Sequence, residues 1–379
     1  MTDSSNPNPA ENLYDVAVVG AGIIGLSAAL ALRDAGMRVV VLDQQEAMHE
    51  ASWAAAGMLA ANDPHNPAEM HALAVYSEGL YPEFLARVKD LTGREIPIRS
   101  RQTLEGLPAG EDAPGRRVTA EEIAALAPGL ELAPGLKTGE LVFFLMEESS
   151  LDPCDLTEIL PGAIRAAGIE LREYTQVLRV EADGGLHRLT AAQRAEEKTE
   201  EAQFTARHVV FATGAWRAPV EHAPAVEPRK GQLVMLNLRG PEQTACTLRV
   251  PGLYVVPRGN GNYVVGATIE DTGFDQSTSE PMIADMVRRA VALWPPLARA
   301  SRGPAWAGLR PMSVDGLPVI GPLTPDEAQP TLWVAMGHFR NGILLAPGTA
   351  HVLRDLILGR APEVSVEGFR LGRFAGAVE

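Results

Sequence analysis

The sequence predicts an α/β protein in which a nucleotide-binding domain is interleaved with an α+β domain built on an antiparallel sheet. Three observations support this fold class. A strand, glycine turn, helix and strand pattern opens the chain over residues 14–43, and a strand, glycine turn and helix pattern closes it over residues 332–358. Between them, residues 226–310 carry short strands joined by glycine turns, which is typical of neighbouring antiparallel strands.

The opening unit has the order of features expected of a Rossmann-like dinucleotide-binding site. Residues 14–19, YDVAVV, are typical of a buried parallel strand. The motif G-x-G-x-x-G follows at Gly20, Gly22 and Gly25. The first glycine allows a tight turn, the second lets backbone approach a pyrophosphate, and the third lets helix and strand pack closely. The helix from Ile23 then presents free N–H groups to the phosphates.

The second strand, residues 39–42, ends at Asp43, whose carboxylate can accept hydrogen bonds from ribose hydroxyls. An acid here disfavours NADP. Residues 16–32 could be mistaken for a membrane helix, but glycines interrupt them and they are shorter than the roughly 20 apolar residues that such a helix needs. We therefore interpret them as soluble core.

The length and composition exclude several classes of function. A chain of 379 residues predicts two domains. The formal net charge of -15, from 48 acidic and 33 basic side chains, argues against nucleic acid as a partner. Cys154 and Cys246 are far apart and the eight histidines lack metal-ligand spacing, so neither a disulfide framework nor a metal site is expected. Residues 1–12 lack a signal-peptide pattern and predict a disordered tail and a cytoplasmic location.

The segments between the two glycine patterns predict further elements. Residues 50–61 are small and leave two interpretations open, a loop beside a flat ligand with Ser52 donating to a phosphate, or a tightly packed helix start. Residues 67–91 have helical spacing, whereas residues 94–141 look like turns and connectors. The sequence elements that follow are a capped helix at 120–126, a helix at 150–165, strands within 169–180, a solvated loop at 193–203, and a buried strand at 209–212.

Taken together, the opening unit and four later blocks resemble the D-amino-acid oxidase superfamily, and within it the glycine oxidases of the thiamine-biosynthesis type. The four blocks are ASWAAAGML at 51–59, VFATGAW at 210–216, WAGLRPMSVDGLPVIG at 306–321 and GHFRNGILLAP at 337–347. The resemblance implies an FAD-binding domain of residues 13–88, 148–227 and 314–370, and a substrate-binding domain of residues 89–147 and 228–313.

The resemblance also implies an activity. FAD is bound non-covalently, since relatives that tether it use a cysteine in the segment matching 306–314, where this chain has none. Glycine, sarcosine or a small D-amino acid is converted to a 2-oxo acid plus ammonia or amine, and O2 to hydrogen peroxide. The alternatives are a dehydrogenase that passes electrons to a quinone or protein acceptor, and a nucleotide-binding module without turnover. A homo-oligomer is expected, with no membrane partner.

Residue roles follow from the matched motifs. Tyr254 and Arg310 match residues that hold the substrate carboxylate, and Arg340 matches a third residue lining that site, although it could instead bridge a carbonyl or an acid. Gly252 stands where some relatives have histidine and Ile269 where some have methionine, so the substrate preference is open. The residues expected to bind FAD are Gly20, Gly22, Ile23, Ile24, Gly25, Asp43, Gln44, Ser52, Ala55, Ala56, Gly57, Met58, Val177, Thr213, Gly214, Trp216, His338, Arg340, Asn341, Gly342, Ile343 and Leu344.

Overall fold

A computed structural model of the chain describes residues 13–130, 141–195, 198–324 and 329–374. The tail predicted at 1–12 lies outside the described residues. The helices are α1 (Ile23–Asp34), α2 (Ala51–Ala54), α3 (His71–Thr92), α4 (Ala120–Leu126), α5 (Pro153–Ala166), α6 (Glu280–Leu293) and α7 (Gly342–Ile357). The strands are β1 (Leu13–Val19), β2 (Val39–Leu42), β3 (Met58–Leu59), β4 (Ile98–Ser100), β5 (Thr103–Pro108), β6 (Arg116–Arg117), β7 (Leu141–Met146), β8 (Ser149–Leu151), β9 (Glu170–Arg172), β10 (Thr175–Asp183), β11 (Leu186–Ala195), β12 (Lys198–Phe211), β13 (Val226–Asn237), β14 (Thr247–Val250), β15 (Leu253–Gly259), β16 (Asn262–Gly266), β17 (Ser301–Ser313), β18 (Val319–Pro322) and β19 (Leu332–Met336).

The first sheet has a parallel centre in the order β9-β2-β1-β12-β19. The chain runs from β1 towards β2 and β9 on one side, and later fills the other side with β12 and β19. The strand order therefore reverses between β1 and β12, which is where an open α/β sheet forms a ligand-binding crevice. The predicted α/β fold class is confirmed.

Successive side chains of the central strands point to opposite faces of this sheet, and both faces are buried. Val16 and Val18 pack on the helical side with α1, α5 and α7, whereas Ala17 and Val19 join a second apolar cluster on the opposite face. A strand that contributes side chains to two cores needs apolar residues at every position, as its valine-rich sequence has.

The second sheet has the order β17-β13-β16-β15-β14-β5-β7-β6. The antiparallel neighbours predicted in residues 226–310 are confirmed, since β13 pairs with β16 and β16 pairs with β15. Helix α6 covers one face and buries Ile283, Met286 and Leu293 in the apolar core of this sheet. A small sheet in the order β3-β8-β4 lies beside the two larger ones.

Two sequence predictions are wrong. Residues 193–195 and 198–203 lie in β11 and β12 rather than in a loop, because their backbone is paired in an antiparallel ribbon while many of their polar side chains face solvent; residues 196–197 lie outside the described residues. Residues 94–141 also contain β5, which is buried between β14 and β7, although its sequence is broken by glycine. The capped helix is confirmed, since Thr119 and Glu122 form the predicted capping box of α4.

Candidate active site

A cavity of about 400 Å³ opens at the carboxyl ends of β1 and β12 and extends to the second sheet. Both ends of the sequence and its middle contribute to the lining. Of the residues predicted to bind cofactor or substrate, those that line the cavity are Gly22, Ile23, Ile24, Ser52, Ala55, Ala56, Gly57, Met58, Gly214, Tyr254, Arg310, His338, Arg340, Asn341, Gly342 and Ile343.

The glycine turn is dictated by close backbone packing. Gly20 has φ 110°, and a Cβ on it would lie 2.3 Å from the carbonyl oxygen of Ala212. A Cβ on Gly25 would lie 1.9 Å from the carbonyl oxygen of Gly20, so α1 could not approach the end of β1. Gly22 differs, because its Cβ would meet only the Ser52 hydroxyl, at 3.3 Å, and its backbone borders the cavity.

Ser52 binds the start of α1. Its Oγ accepts a hydrogen bond from the Ile23 N–H at 2.9 Å, and a hydroxyl that accepts one bond can still donate its own proton. Residues 51–54 form the short helix α2, and residues 55–57 continue as a stretch that lines the cavity. The helix start is therefore confirmed for residues 51–54, whereas the loop beside a flat ligand stays a prediction for residues 55–57.

Asp43 ties the end of β2 to the glycine turn. Its Oδ2 accepts from the Ala21 N–H at 2.5 Å and its Oδ1 from the Gln45 N–H at 2.9 Å. Burial raises the pKa of this carboxyl, and the two backbone hydrogen bonds oppose that rise. The carboxylate is thus held at the turn where a ribose is predicted to bind, although it does not itself line the cavity.

Other predicted cofactor residues also lie outside the cavity wall. Leu344 points into the core, and its carbonyl accepts from the Ser77 hydroxyl at 2.6 Å. Thr213 donates to the Trp216 carbonyl at 2.8 Å, and the Trp216 ring packs against Phe274. The predicted residues that do not line the cavity are Gly20, Gly25, Asp43, Gln44, Val177, Thr213, Trp216 and Leu344.

At the other end of the cavity, Tyr254 on β15 and Arg310 on β17 lie over glycines of the strands between them. A Cβ on Gly266 would lie 2.6 Å from the Tyr254 ring, and a Cβ on Gly231 would lie 2.2 Å from the Arg310 guanidinium. These two glycines make room for the side chains. The sequence alone did not identify them, because a glycine inside a strand can equally mark a bulge or a tight bend.

Arg310 is a guanidinium without an acidic partner among the described residues. Its Nη1 donates to the Thr268 carbonyl at 3.1 Å, and in the described part of the chain no carboxylate lies within 4.0 Å of it. Burial raises the pKa of Tyr254, while the charges of Arg310 and Arg340 oppose that rise. The phenol therefore stays protonated near neutral pH and can donate a hydrogen bond.

Arg340 and His338 come from the turn before α7. Arg340 Nη2 donates to Asp63 Oδ2 at 2.7 Å, so the alternative of a bridge to an acid describes its contact. His338 is buried with Nε2 3.1 Å from the Thr349 hydroxyl, and burial lowers its pKa to about 3. It is neutral at physiological pH. Gly342 and Ile343, the first two residues of α7, border the cavity. The N–H groups in the first turn of a helix have no partner within the helix.

A group of charged residues, of which the sequence predicted only Arg340, lies at this wall and behind it. We call Asp63, Glu105, Glu148, Arg249 and Arg340 the acid–arginine cluster. Arg249 Nε donates to Glu105, and Arg249 Nη1 lies 3.0 Å from Glu148 Oε2 and 3.8 Å from Asp63 Oδ2. Asp63, His65 and Arg249 line the cavity. The one sequence signal is the placing of Arg249 inside an apolar strand, where a charge needs buried partners.

These features fit FAD. A long cavity begins at a glycine turn whose backbone is open to a ligand, passes the N-terminus of α1, and ends beside the N-terminus of α7. Pyrophosphate carries negative charge, and free N–H groups at a helix start favour it. Ser52 and the backbone at 55–58 would lie along the flat part of such a ligand.

Comparison with known proteins agrees with this geometry. The family described as "FAD dependent oxidoreductase" matches residues 15–356. The glycine oxidase of Geobacillus kaustophilus is 30% identical, over 96% of this chain and 98% of that protein. A bifunctional ThiO/ThiG protein of Nostoc is 34% identical over 95% of this chain, which spans 55% of that longer protein. The crystal structure of the Geobacillus kaustophilus enzyme superposes with a TM-score of 0.84 at 28% identity, covering 96% of this chain and 99% of that one.

No helix in residues 13–130, 141–195, 198–324 and 329–374 is long and apolar enough to cross a membrane.

Proposed function

The chain belongs to the family of FAD-dependent oxidoreductases, and from this premise we propose that it oxidises glycine, sarcosine or a small D-amino acid. The observation that carries the proposal is Arg310, a guanidinium with no acidic partner in the described residues, next to the Tyr254 hydroxyl. The two groups lie in the cavity that begins at the glycine turn. The glycine oxidase activity named for the relatives supports the same choice.

The chemistry of the two side chains fits an amino acid. A guanidinium presents a planar fork of donors to a carboxylate, and the phenol adds a further donor. Holding the carboxylate at one end fixes where the α-carbon lies, and such positioning contributes much of the rate when a cofactor carries the chemistry. FAD, when bound, supplies the acceptor for a hydride.

The proposed reaction balances with water and oxygen. The neutral amine loses a hydride from its α-carbon, the resulting imine adds water, and a 2-oxo acid and ammonia or amine are released. O2 takes up the two electrons and two protons as hydrogen peroxide. The N-terminus of α7, with Gly342 and Ile343 at the cavity, favours negative charge that develops beside it.

The cavity wall is consistent with a small substrate entering from solvent. Gly252 and Ile269 border the cavity, and Ile269 is 67% exposed, which places it at the mouth. A Cβ at position 252 would lie 3.4 Å from Arg289 Nη2, and the φ of 71° at this position favours glycine. We also retain, as a proposal, the division into an FAD-binding and a substrate-binding domain at the boundaries expected from the sequence.

Anaerobic mixing of the FAD-loaded protein with glycine, sarcosine and D-alanine tests the proposal. We expect at least one of them to reduce the flavin, which is measured as a loss of its absorption soon after mixing. If none does, the proposed substrate class is wrong, and if the purified protein binds no flavin at all, the cofactor assignment fails with it.

The electron acceptor is tested by admitting air. An oxidase yields one hydrogen peroxide for each substrate consumed. A dehydrogenase would give a different result. Air would restore the flavin absorption slowly and without peroxide, whereas an added quinone would restore it quickly.

A further inference from the structure

The charges around the cavity are unequally compensated. Among the described residues that line it, Arg249, Arg310 and Arg340 carry permanent positive charge, and Asp63 is the acidic one. Arg249 lies against Glu105 and Glu148, which do not line the cavity, and its Nη1 is 3.8 Å from Asp63 Oδ2. Arg340 is paired with Asp63. Of these three arginines, Arg310 alone has no acidic partner in the part of the chain that the structure describes.

Asp63 is held firmly in its place. Its Oδ1 accepts from the His65 N–H at 2.9 Å and lies 3.1 Å from His65 Nδ1, while its Oδ2 accepts from Arg340. The Asp63 carbonyl accepts from the Asn66 N–H at 2.9 Å, and Asn66 in turn bonds Asn341. Only 6% of Asp63 is exposed. The carboxylate therefore faces Arg340 in one orientation.

Asp63 is also ionised across the working range of pH. Burial by itself raises the pKa of this carboxyl, but the hydrogen bonds from His65 and the charges of Arg249 and Arg340 outweigh burial and hold the pKa well below its usual range. Its negative charge is thus a permanent counter-charge for Arg340.

We propose that Asp63 determines specificity by neutralising Arg340, which leaves Arg310 alone to bind a carboxylate and restricts the cavity to substrates with one carboxylate. This inference rests on the proposed function and refines the role of Arg340. A second carboxylate on a substrate would meet a guanidinium that is already paired, next to a buried carboxylate that repels it. Removing the charge of Asp63 would release Arg340 as a second anion site.

The substitution Asp63→Asn tests this with little change of shape. Asparagine keeps an oxygen that can accept from the His65 N–H, but it cannot neutralise Arg340. We would titrate the oxidised, FAD-loaded protein with acetate and with malonate and follow the flavin absorption, which requires no turnover. In Asp63→Asn the affinity for malonate relative to acetate should rise about 10- to 100-fold, as expected for one added hydrogen bond between charged groups. A ratio within threefold of the unsubstituted protein overturns the proposal.

Glu148→Gln is the matched control. It removes one buried negative charge from the acid–arginine cluster but leaves the pair of Asp63 and Arg340 in place. If it raises the malonate preference as much as Asp63→Asn does, the effect is general electrostatics and the proposal fails.

The double variant Asp63→Asn/Arg340→Gln removes both partners and decides the matter even if the single variant does not fold. Its affinity for malonate relative to acetate should return to within about threefold of that of the unsubstituted protein, because the guanidinium that would bind the second carboxylate is gone. A more than tenfold loss of acetate affinity would mean that Arg340 binds the substrate carboxylate itself. If acetate and malonate both fail to bind the unsubstituted protein, the proposed carboxylate site is wrong as well, whereas a failure confined to the variants affects only the role of Asp63.

Discussion

The two ends of the cavity are built in different ways. At the nucleotide end, small residues such as Gly22, Ala55 and Gly57 line the cavity. Gly20 and Gly25 lie outside the lining and are required because a Cβ on either would collide with a carbonyl oxygen. At the substrate end the lining is made of charged and aromatic side chains from strands of the second sheet and from distant loops. The first end therefore depends on local spacing, and the second depends on contacts between residues far apart in the chain.

The largest effect should come from a substitution in the glycine turn at the nucleotide end of the cavity. Gly25→Ala places a Cβ 1.9 Å from the Gly20 carbonyl, which neither segment can avoid without moving α1 away from β1. We expect the purified protein to lose its bound flavin and about 1–3 kcal/mol of the free energy of unfolding, as is typical of an overpacked core. Flavin absorption per protein and urea unfolding measure both.

A matched control for this change is Gly79→Ala. Gly79 lies in α3, and a Cβ there would have no atom within 4 Å. Replacing a helical glycine by alanine stabilises by about 0.5–1 kcal/mol, so this variant should keep its flavin and unfold slightly later. Equal flavin loss in the two variants would contradict the steric explanation.

This difference also explains what sequence could predict. The glycine turn, the strand that ends at Asp43 and the last strand and helix were predictable because each is a pattern of neighbouring residues. Asp63 and Arg340 are 277 positions apart, and nothing in either local sequence specifies the partner. The strand β5 was missed for a similar reason, since its place between β14 and β7 is fixed by tertiary pairing rather than by its composition.

A smaller effect, on the free energy of unfolding, is expected when the pH changes, because of a carboxyl group beside the substrate end of the cavity. Burial raises the pKa of Glu105 to about 7 even though Arg249 opposes the rise. A carboxyl whose pKa is higher in the folded than in the unfolded state stabilises fully below the unfolded value, and that contribution is lost as pH rises through the folded value. As the pH rises from about 4.5 to 7, the ionisation of Glu105 should therefore lower the free energy of unfolding.

The variant Glu105→Gln tests this, because glutamine resembles the protonated acid and does not titrate. The free energy of unfolding of the variant relative to the unsubstituted protein should increase by about 1–3 kcal/mol from pH 5 to pH 8. Urea unfolding at several pH values measures the difference. A difference that stays flat or falls over this range would show that Glu105 is ionised throughout.

We propose that backbone holds the cofactor while the Arg310 guanidinium, which has no acidic partner among the described residues, holds the substrate, and one variant separates the two roles. In Arg310→Ala the flavin content should be unchanged, while kcat/KM for the best amino acid falls about 10²- to 10³-fold, as expected when one partner of a buried charged pair is removed. Arg302→Ala on the same strand is the control, because Arg302 pairs with Glu280 in solvent and should leave kcat/KM unaltered. An unaltered kcat/KM in Arg310→Ala, or a loss of flavin in step with the loss of activity, would contradict the account.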